Sequence, residues 1–360
     1  MAINKNIIIA ASGTGGHIYP GLTIAAELKN RGFNPVFFIS NNSASRMIIE
    51  NSGFEYIAFN LSGMPRKISL AFLIFCFKLI FSTIKAFKNI IVLKPFCALS
   101  TGGYIGVPTI FAARILGKKT YLHEQNTIAG KANRYLSLIA DKVLISFEGS
   151  AKYFNHKKTI LTGYPIRKVI FKADKKTARQ TLQIDDNVFT IFIFGGSLGA
   201  KRLNEISFDA MRILSLQEKI QVIHISGEKD YKNLSQKAQT LPYYRVIEYM
   251  RDIYNAYAAA DIIISRAGAG SVFEIKTLNK PAILIPLPTA TDNHQYYNAK
   301  ESESDYIKVL EEGTLTAQKL TDTIISLKEF ANLQKENNIS NFPQEIISDM
   351  LISANPPPQS

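Results

Sequence analysis

The sequence predicts an α/β protein of two Rossmann-like domains with parallel sheets, on three observations. The chain has 360 residues, about twice the usual length of one domain. Short β-rich runs alternate with helical patterns, the arrangement that gives parallel sheets covered on both faces. A glycine-rich loop between a strand and a helix occurs once in each half. With 46% hydrophobic and 20% charged residues the chain can bury a core, which excludes a mainly disordered protein. Cys76 and Cys97 are too few for a disulfide framework or a structural zinc site, so a reducing compartment fits.

In the first half, residues 5–10 read as a strand running into Gly13-Thr14-Gly15-Gly16-His17, with no secretory signal before it. The apolar positions Leu22, Ala25, Ala26 and Leu28 predict a helix from about Pro20 to Arg31-Gly32. Residues 35–40 and 119–123 read as further strands. In the second half, residues 189–194 form a strand before Gly195-Gly196-Ser197-Leu198-Gly199-Ala200, and Leu203, Ile206 and Met211 mark the helix after it. Strands at 220–226, 262–265 and 282–286 follow. The expected division is 1–163, 164–340, and a C-terminal helix with a frayed tail at 341–360. The two domains are expected to face each other across a cleft.

The net charge of +13 is unevenly placed. Residues 1–165 hold 19 Lys/Arg against 6 Asp/Glu, while 166–360 hold 23 of each. A basic half beside a neutral one implies an anionic partner: nucleic acid, membrane surface or phosphorylated substrate. A genome biased towards Lys would load both halves alike. The most apolar stretch, 68–93, is long enough to span a bilayer but carries Lys78, Lys85 and Lys88. Lys67, Lys78 and Lys85 fall within about 20° of one another on a helical wheel, with Lys88 about 60° further round. One cationic stripe on a Phe/Ile/Leu helix suits a helix lying in a membrane interface, and a buried helix with one wet edge is the alternative.

The glycine loops put bare N–H groups and a helix N-terminus where a phosphate can bind, though a tight strand–helix turn also needs glycine. Neither is a P-loop, and neither has the full dinucleotide spacing. His17 enters the first helix, where its cationic form is disfavoured and a lone pair is left for base work; a capping role is the alternative. His123-Glu124-Gln125-Asn126, followed by Ala129-Gly130 and Asn133, ends a strand where open α/β sheets bind ligands, and it could also be a turn cluster. No second His follows on a helix, so a metal is not expected there. Ser265-Arg266-Ala267-Gly268-Ala269-Gly270-Ser271 leads into a helix bearing Glu274, whose carboxylate could grip a ribose diol or simply answer the helix dipole. Gln295 and Asn298 are three apart and can share one helix face as partners for sugar hydroxyls.

Taken in order, these segments with Pro20-Gly21, Ser100-Thr101-Gly102-Gly103-Tyr104, Gly163-Tyr164-Pro165-Ile166-Arg167 and His294-Gln295 closely resemble the MurG family of peptidoglycan N-acetylglucosaminyltransferases. The resemblance runs from about residue 5 to 300. It implies a GT-B fold, the first domain docking on the cytoplasmic face of the inner membrane and the second holding a sugar nucleotide. It implies inverting transfer of GlcNAc from UDP-GlcNAc to the 4-hydroxyl of the muramic sugar in lipid I, undecaprenyl-diphospho-MurNAc-pentapeptide, giving lipid II and UDP. Carried over by position, His17 is the base. Arg167 and Ser197 contact the diphosphate. Ala269, Gly270, Ser271, Val272, Phe273 and Glu274 line the nucleotide site, with Glu274 on the ribose. Met250 offers backbone groups to uracil, and Gln295 holds GlcNAc hydroxyls. Thr14, Gly15, Gly16 and Asn126 complete the donor side, and Tyr104, Glu124, Asn133 and Asn298 stand at acceptor or sugar contacts. No cofactor and no metal are expected. Tyr164 and Arg251 depart from the family pattern, which usually has Asn and an acidic residue there.

A GT-B enzyme with another lipid acceptor and a non-catalytic UDP-sugar sensor at the membrane are the alternatives. A nucleic-acid partner explains the basic half but neither the paired glycine loops nor the Phe-rich helix, so none is expected.

Overall fold

The computed structural model describes residues 5–13, 15–65, 67, 69–196, 199–332 and 342–353. Thr14 and Ser197 of the expected site, and the tail at 356–358, lie outside the described residues. The chain forms two compact units, residues 1–166 with 339–360, and residues 167–338.

The first unit runs β1 (Asn6–Ala11), α1 (Gly15–Asn30), β2 (Asn34–Ser40), α2 (Ser43–Glu50), β3 (Glu55–Phe59) and α3 (Leu70–Leu93). It continues β4 (Cys97–Gly102), α4 (Gly106–Ile115), β5 (Lys119–Glu124), α5 (Lys131–Leu136), β6 (Lys142–Ile145) and β7 (Thr159–Leu161). Among the described residues the strands form one parallel sheet, ordered β3-β2-β1-β4-β5-β6-β7. Strand alternation sends Ile8, Val36, Phe38 and Leu122 into one core with Ala86 and Ile90 of α3 and Ile110 of α4. Ile7, Ile9, Phe37 and Leu99 enter the other core with Ile24 and Leu28 of α1. Each such side chain contributes about 1.5–3 kcal/mol of burial.

Helix α1 begins at Gly15, earlier than expected, and carries Pro20 inside it. Pro20 removes the N–H that would bond to Gly16 O, so the second turn of α1 lacks that bond.

The second unit runs α6 (Lys175–Leu182), β8 (Phe189–Phe194), α7 (Lys201–Ser215), β9 (Ile220–Ile225), α8 (Glu228–Ala238), β10 (Tyr244–Ile247) and α9 (Ile253–Ala259). Then come β11 (Ile262–Ser265), α10 (Ala269–Thr277), β12 (Ala282–Leu284), α11 (His294–Lys300), β13 (Ile307–Val309) and α12 (Ala317–Leu327). Its described strands form a parallel sheet ordered β10-β9-β8-β11-β12-β13. In both sheets the strand order reverses beside the first strand of the unit, and there the carboxyl ends open a crevice for ligands. The two glycine loops leave β1 and β8 at these points.

The last helix, α13 (Pro343–Ser353), returns to the first unit. Ile347 and Leu351 are fully buried in the α1 core. Tyr121 Oη donates to Met350 O at 3.2 Å, and Arg31 pairs with Asp349.

Helix α3 buries Phe75, Ser82, Ala86 and Ile90 and exposes Leu70, Leu73, Ile74, Phe77, Ile80, Phe81, Ile84, Ile91 and Val92. By length and composition it could cross a membrane, but its inner face lies on the sheet. Lys78, Lys85 and Lys88 are all exposed; Lys85 Nζ donates to Ala58 O at 2.8 Å and lies over the Phe59 ring, and Lys88 stands on the apolar side.

Candidate active site

In the first unit three strand ends converge. After β1 the chain turns through Ser12 and Gly13 into α1, which carries His17 in its first turn. After β4, Gly102 has φ +115°, and a Cβ there would lie 2.4 Å from His17 Nδ1, so only glycine lets the imidazole approach. Thr101 Oγ1 donates to His17 O at 2.8 Å and fixes the start of α1 against β4. After β5 comes Gln125, whose Oε1 lies 3.2 Å from His17 Nδ1.

His17, Ser12, Asn42, Asn60, Lys78 and Tyr104 line a cavity of about 580 Å³. The Tyr104 ring packs edge-on against Phe75 of α3 at 5.8 Å, so the cavity wall is continuous with the apolar helix. Gly15 and Gly16 stand in the first turn of α1, half-buried and exposed respectively.

Glu124 and the side-chain nitrogen of Asn133, both expected at acceptor or sugar contacts, bond to the chain itself, while Asn133 Oδ1 is buried without a partner among the described residues. Glu124 is buried, and its carboxylate accepts from Asn126 N at 3.1 Å, Gly130 N at 3.0 Å and Asn133 Nδ2 at 2.9 Å. Asn133 Nδ2 also lies 3.3 Å from His123 O. The physical reason is burial: a carboxylate cut off from water must take every nearby N–H. The pair shapes the loop that presents half-buried Asn126.

His123 is fully buried, with Nε2 3.2 Å from Gly163 O. Burial lowers its pKa to about 4, and nearby His17 pushes the same way. In the second unit His224 is likewise buried, bonded to Tyr244 Oη at 2.6 Å and Asn204 Oδ1 at 2.9 Å, and burial lowers it to about 3. Both imidazoles are neutral in the fold but take up a proton near pH 6.5 once unfolded. Their stabilisation is therefore complete above pH 6.5 and is lost as pH falls towards 4. At pH 5 each unit should be weaker by on the order of 2 kcal/mol than at pH 7.5, as urea unfolding would read; equal stability at the two pH values contradicts this.

In the second unit the loop after β8 turns at Gly199, φ +74°, where a Cβ would sit 2.9 Å from Ser226 O. Helix α10 follows β11 with Gly268 as its N-cap. Its first intrahelical donor is Val272 N, bonded to Gly268 O at 3.0 Å, so the N–H groups of Ala269, Gly270 and Ser271 precede the helical ladder and suit an anion. Val272 is fully buried core, while Phe273 is half-buried beneath the Lys276 ammonium at 5.9 Å. Glu274 Oε1 accepts from Arg167 Nε at 3.0 Å and Nη2 at 2.7 Å. The structure thus joins the residues expected at the diphosphate and the ribose.

Gln295 Oε1 accepts from Leu287 N at 3.0 Å, which holds the amide against the 286–288 loop. Asn298, expected at a sugar contact, is fully buried and donates to Ala267 O at 3.3 Å, so it positions the start of α10. One helix turn separates the two amides, yet Asn298 is buried and Gln295 half-buried. Met250 is half-buried in the segment after β10. Sequence reasoning gave no role to Arg266, which is buried, donates to Ile285 O at 3.2 Å and Pro286 O at 3.3 Å, and pairs with Glu312. Nor did it place Lys78, Asn42 and Asn60 on a cavity, since only the fold brings α3 and the ends of β2 and β3 beside β1.

Each half of the chain matches a family model. Residues 7–145 match the glycosyltransferase family 28 N-terminal domain, and residues 190–350 the glycosyltransferase family 28 C-terminal domain. The chain is 34% identical over 355 residues, 94% of each sequence, to the UDP-N-acetylglucosamine–N-acetylmuramyl-(pentapeptide) pyrophosphoryl-undecaprenol N-acetylglucosamine transferase of Desulforamulus reducens. It is 34% identical to the enzyme of that name from Elusimicrobium minutum, over 94% of this chain and 92% of that one. The crystal structure of Acinetobacter baumannii MurG superposes with a TM-score of 0.76 at 27% identity, covering 96% of this chain and 99% of the other. A UDP-GlcNAc 2-epimerase from Neisseria meningitidis shares the fold alone, with a TM-score of 0.66 at 15% identity over 96% of this chain and 99% of that one.

Proposed function

The chain belongs to glycosyltransferase family 28, and on that premise we propose its reaction. N-acetylglucosamine passes from UDP-GlcNAc to the 4-hydroxyl of the muramic sugar of lipid I, giving lipid II and UDP with inversion at the anomeric carbon. The observation that carries this is 34% identity over 94% of both sequences to an enzyme named for that transfer. The two Rossmann-like units have the GT-B fold, the first bearing the base and the second the donor site.

His17 takes the proton of the attacking hydroxyl as its oxygen bonds to the anomeric carbon. The bond from that carbon to the UDP oxygen breaks, and the electron pair leaves with UDP. An inverting displacement needs both a base and stabilisation of the departing charge. Arg167 and the N–H groups opening α10 supply the second, and Glu274, now paired with Arg167, takes the ribose hydroxyls. With fixed cationic and N–H donors in place, transfer proceeds in EDTA. Labelled UDP-GlcNAc with a short-chain lipid I analogue and EDTA should yield labelled lipid. A folded sample that binds UDP-GlcNAc but forms no product contradicts the acceptor assignment.

The exposed face of α3 lies in the membrane interface, on the cytoplasmic side where lipid I is presented. Phe77 is 64% and Phe81 69% exposed, an unusual exposure for aromatic side chains on one helix face. Lys88 on that face and Lys78 beside it meet anionic headgroups. Replacing Phe77 and Phe81 together by glutamate should weaken sedimentation with phosphatidylglycerol vesicles by at least about tenfold, with the melting temperature unchanged. Undiminished vesicle binding contradicts this docking face.

A further inference from the structure

Gln125 is 1% exposed, and its amide orientation is fixed by groups that cannot change role. Its Nε2 lies 2.7 Å from Thr101 O and 3.1 Å from His123 O. Carbonyl oxygens only accept, so the nitrogen end of the amide must face them and the oxygen end must face His17. That oxygen, 3.2 Å from His17 Nδ1, also only accepts, so the hydrogen between them belongs to Nδ1. On its other side the Gln125 nitrogen lies 2.9 Å from His123 Nδ1 and donates to it. His123 then carries its own hydrogen on Nε2, directed to Gly163 O at 3.2 Å. Ser146 Oγ, 3.4 Å from the same nitrogen, can rotate to accept. The hydrogens on His123 Nε2 and His17 Nδ1 are thus placed by the acceptors that face them.

We propose that Gln125 is a positioning residue that holds neutral His17 as its Nδ1–H tautomer, leaving the Nε2 lone pair as the atom that takes the acceptor hydroxyl's proton. This rests on the reading of His17 as the base. An imidazole in water favours the Nε2–H tautomer, in which that lone pair is absent; the hydrogen bond made by the other nitrogen decides between them. Among the described residues Nε2 of His17 has no hydrogen-bond partner, and His17 lines the 580 Å³ cavity. Neutral His123 at the far end of the row places no charge against the imidazolium that forms when His17 takes the proton.

The test is ¹⁵N NMR of the protein labelled in its histidine rings, with the His17 signals identified by their loss in His17→Asn. The unsubstituted protein should show a protonated Nδ1 and an unprotonated Nε2 at His17; the reverse pattern overturns the proposal. In Gln125→Met the oxygen that holds the tautomer is gone. His17 should shift to Nε2–H and kcat should fall at least about tenfold, while KM for UDP-GlcNAc stays within about twofold. Retention of Nδ1–H, or an unchanged kcat, overturns it. If that variant does not fold, the spectrum of the unsubstituted protein decides alone. Full turnover by His17→Ala overturns the base reading, and the tautomer spectrum keeps that failure distinct from a wrong tautomer.

Discussion

Replacing His17 by alanine should lower kcat by about 10²- to 10⁴-fold while KM for UDP-GlcNAc stays within about threefold. The split follows from where the side chain sits. His17 lines the first-unit cavity, whereas Arg167, Glu274 and the N–H groups opening α10, assigned to the diphosphate and ribose, belong to residues 167–338. Its loss removes a proton acceptor and leaves donor binding alone. The fold should survive, because His17 is half-buried and among the described residues its side chain makes one hydrogen bond, to Gln125. Steady-state kinetics with purified protein and a lipid I analogue check this. A kcat within about twofold of the parent would remove His17 from the chemistry.

The second large effect is expected at Arg167. Its guanidinium is the one cation assigned to the leaving diphosphate, and removal of one such donor costs about 10²–10³ in rate. Arg167→Ala should therefore lower kcat/KM for UDP-GlcNAc by that factor. It also strips Glu274 of the partner that bonds it through two nitrogens, at 3.0 and 2.7 Å. The Glu274 side chain is only 10% exposed while that of Arg167 is 39% exposed, so the stability loss should be about 1–2 kcal/mol, between the surface and the buried cases. Adding Glu274→Gln removes the unpaired charge. The double variant should recover stability without recovering activity; if activity returns with stability, Arg167 is a structural cation and not a leaving-group contact.

Much of this architecture was legible because it is periodic. Alternating strand and helix patterns gave the two parallel sheets, and the glycine loops marked the ends of β1 and β8, where the strand order reverses. Pattern alone misled at Pro20, since α1 starts at Gly15 and runs through the proline at the loss of one bond. The seat of α13 was not legible. Its partners Arg31 and Tyr121 lie more than 200 residues away, and nothing local to residues 343–353 names them.

The site divides along the same line. Positions fixed by backbone need, such as Gly102 beside His17, could be read from residue type. The use of a polar side chain could not. Glu124 and Asn298 look like ligand contacts by type and position, yet both are buried and bond to neighbouring chain. Gln125 shows the converse: within a polar run it is indistinguishable from its neighbours, and its role emerges only from four acceptor and donor positions around one amide. The bond from Lys85 to Ala58 O carries the same lesson, since nothing local to α3 names its partner 27 residues away.

The central claim, inverting transfer onto the muramic 4-hydroxyl, is tested most directly by the structure of the product. The protein, UDP-GlcNAc and a short-chain lipid I analogue would be incubated, and the new disaccharide analysed by NMR for linkage and anomeric configuration. The account predicts a GlcNAc joined to O4 of the muramic sugar with the large diaxial coupling of a β-linkage, inverted from the α-linked donor. An α-linkage, or attachment at any other oxygen, would contradict it.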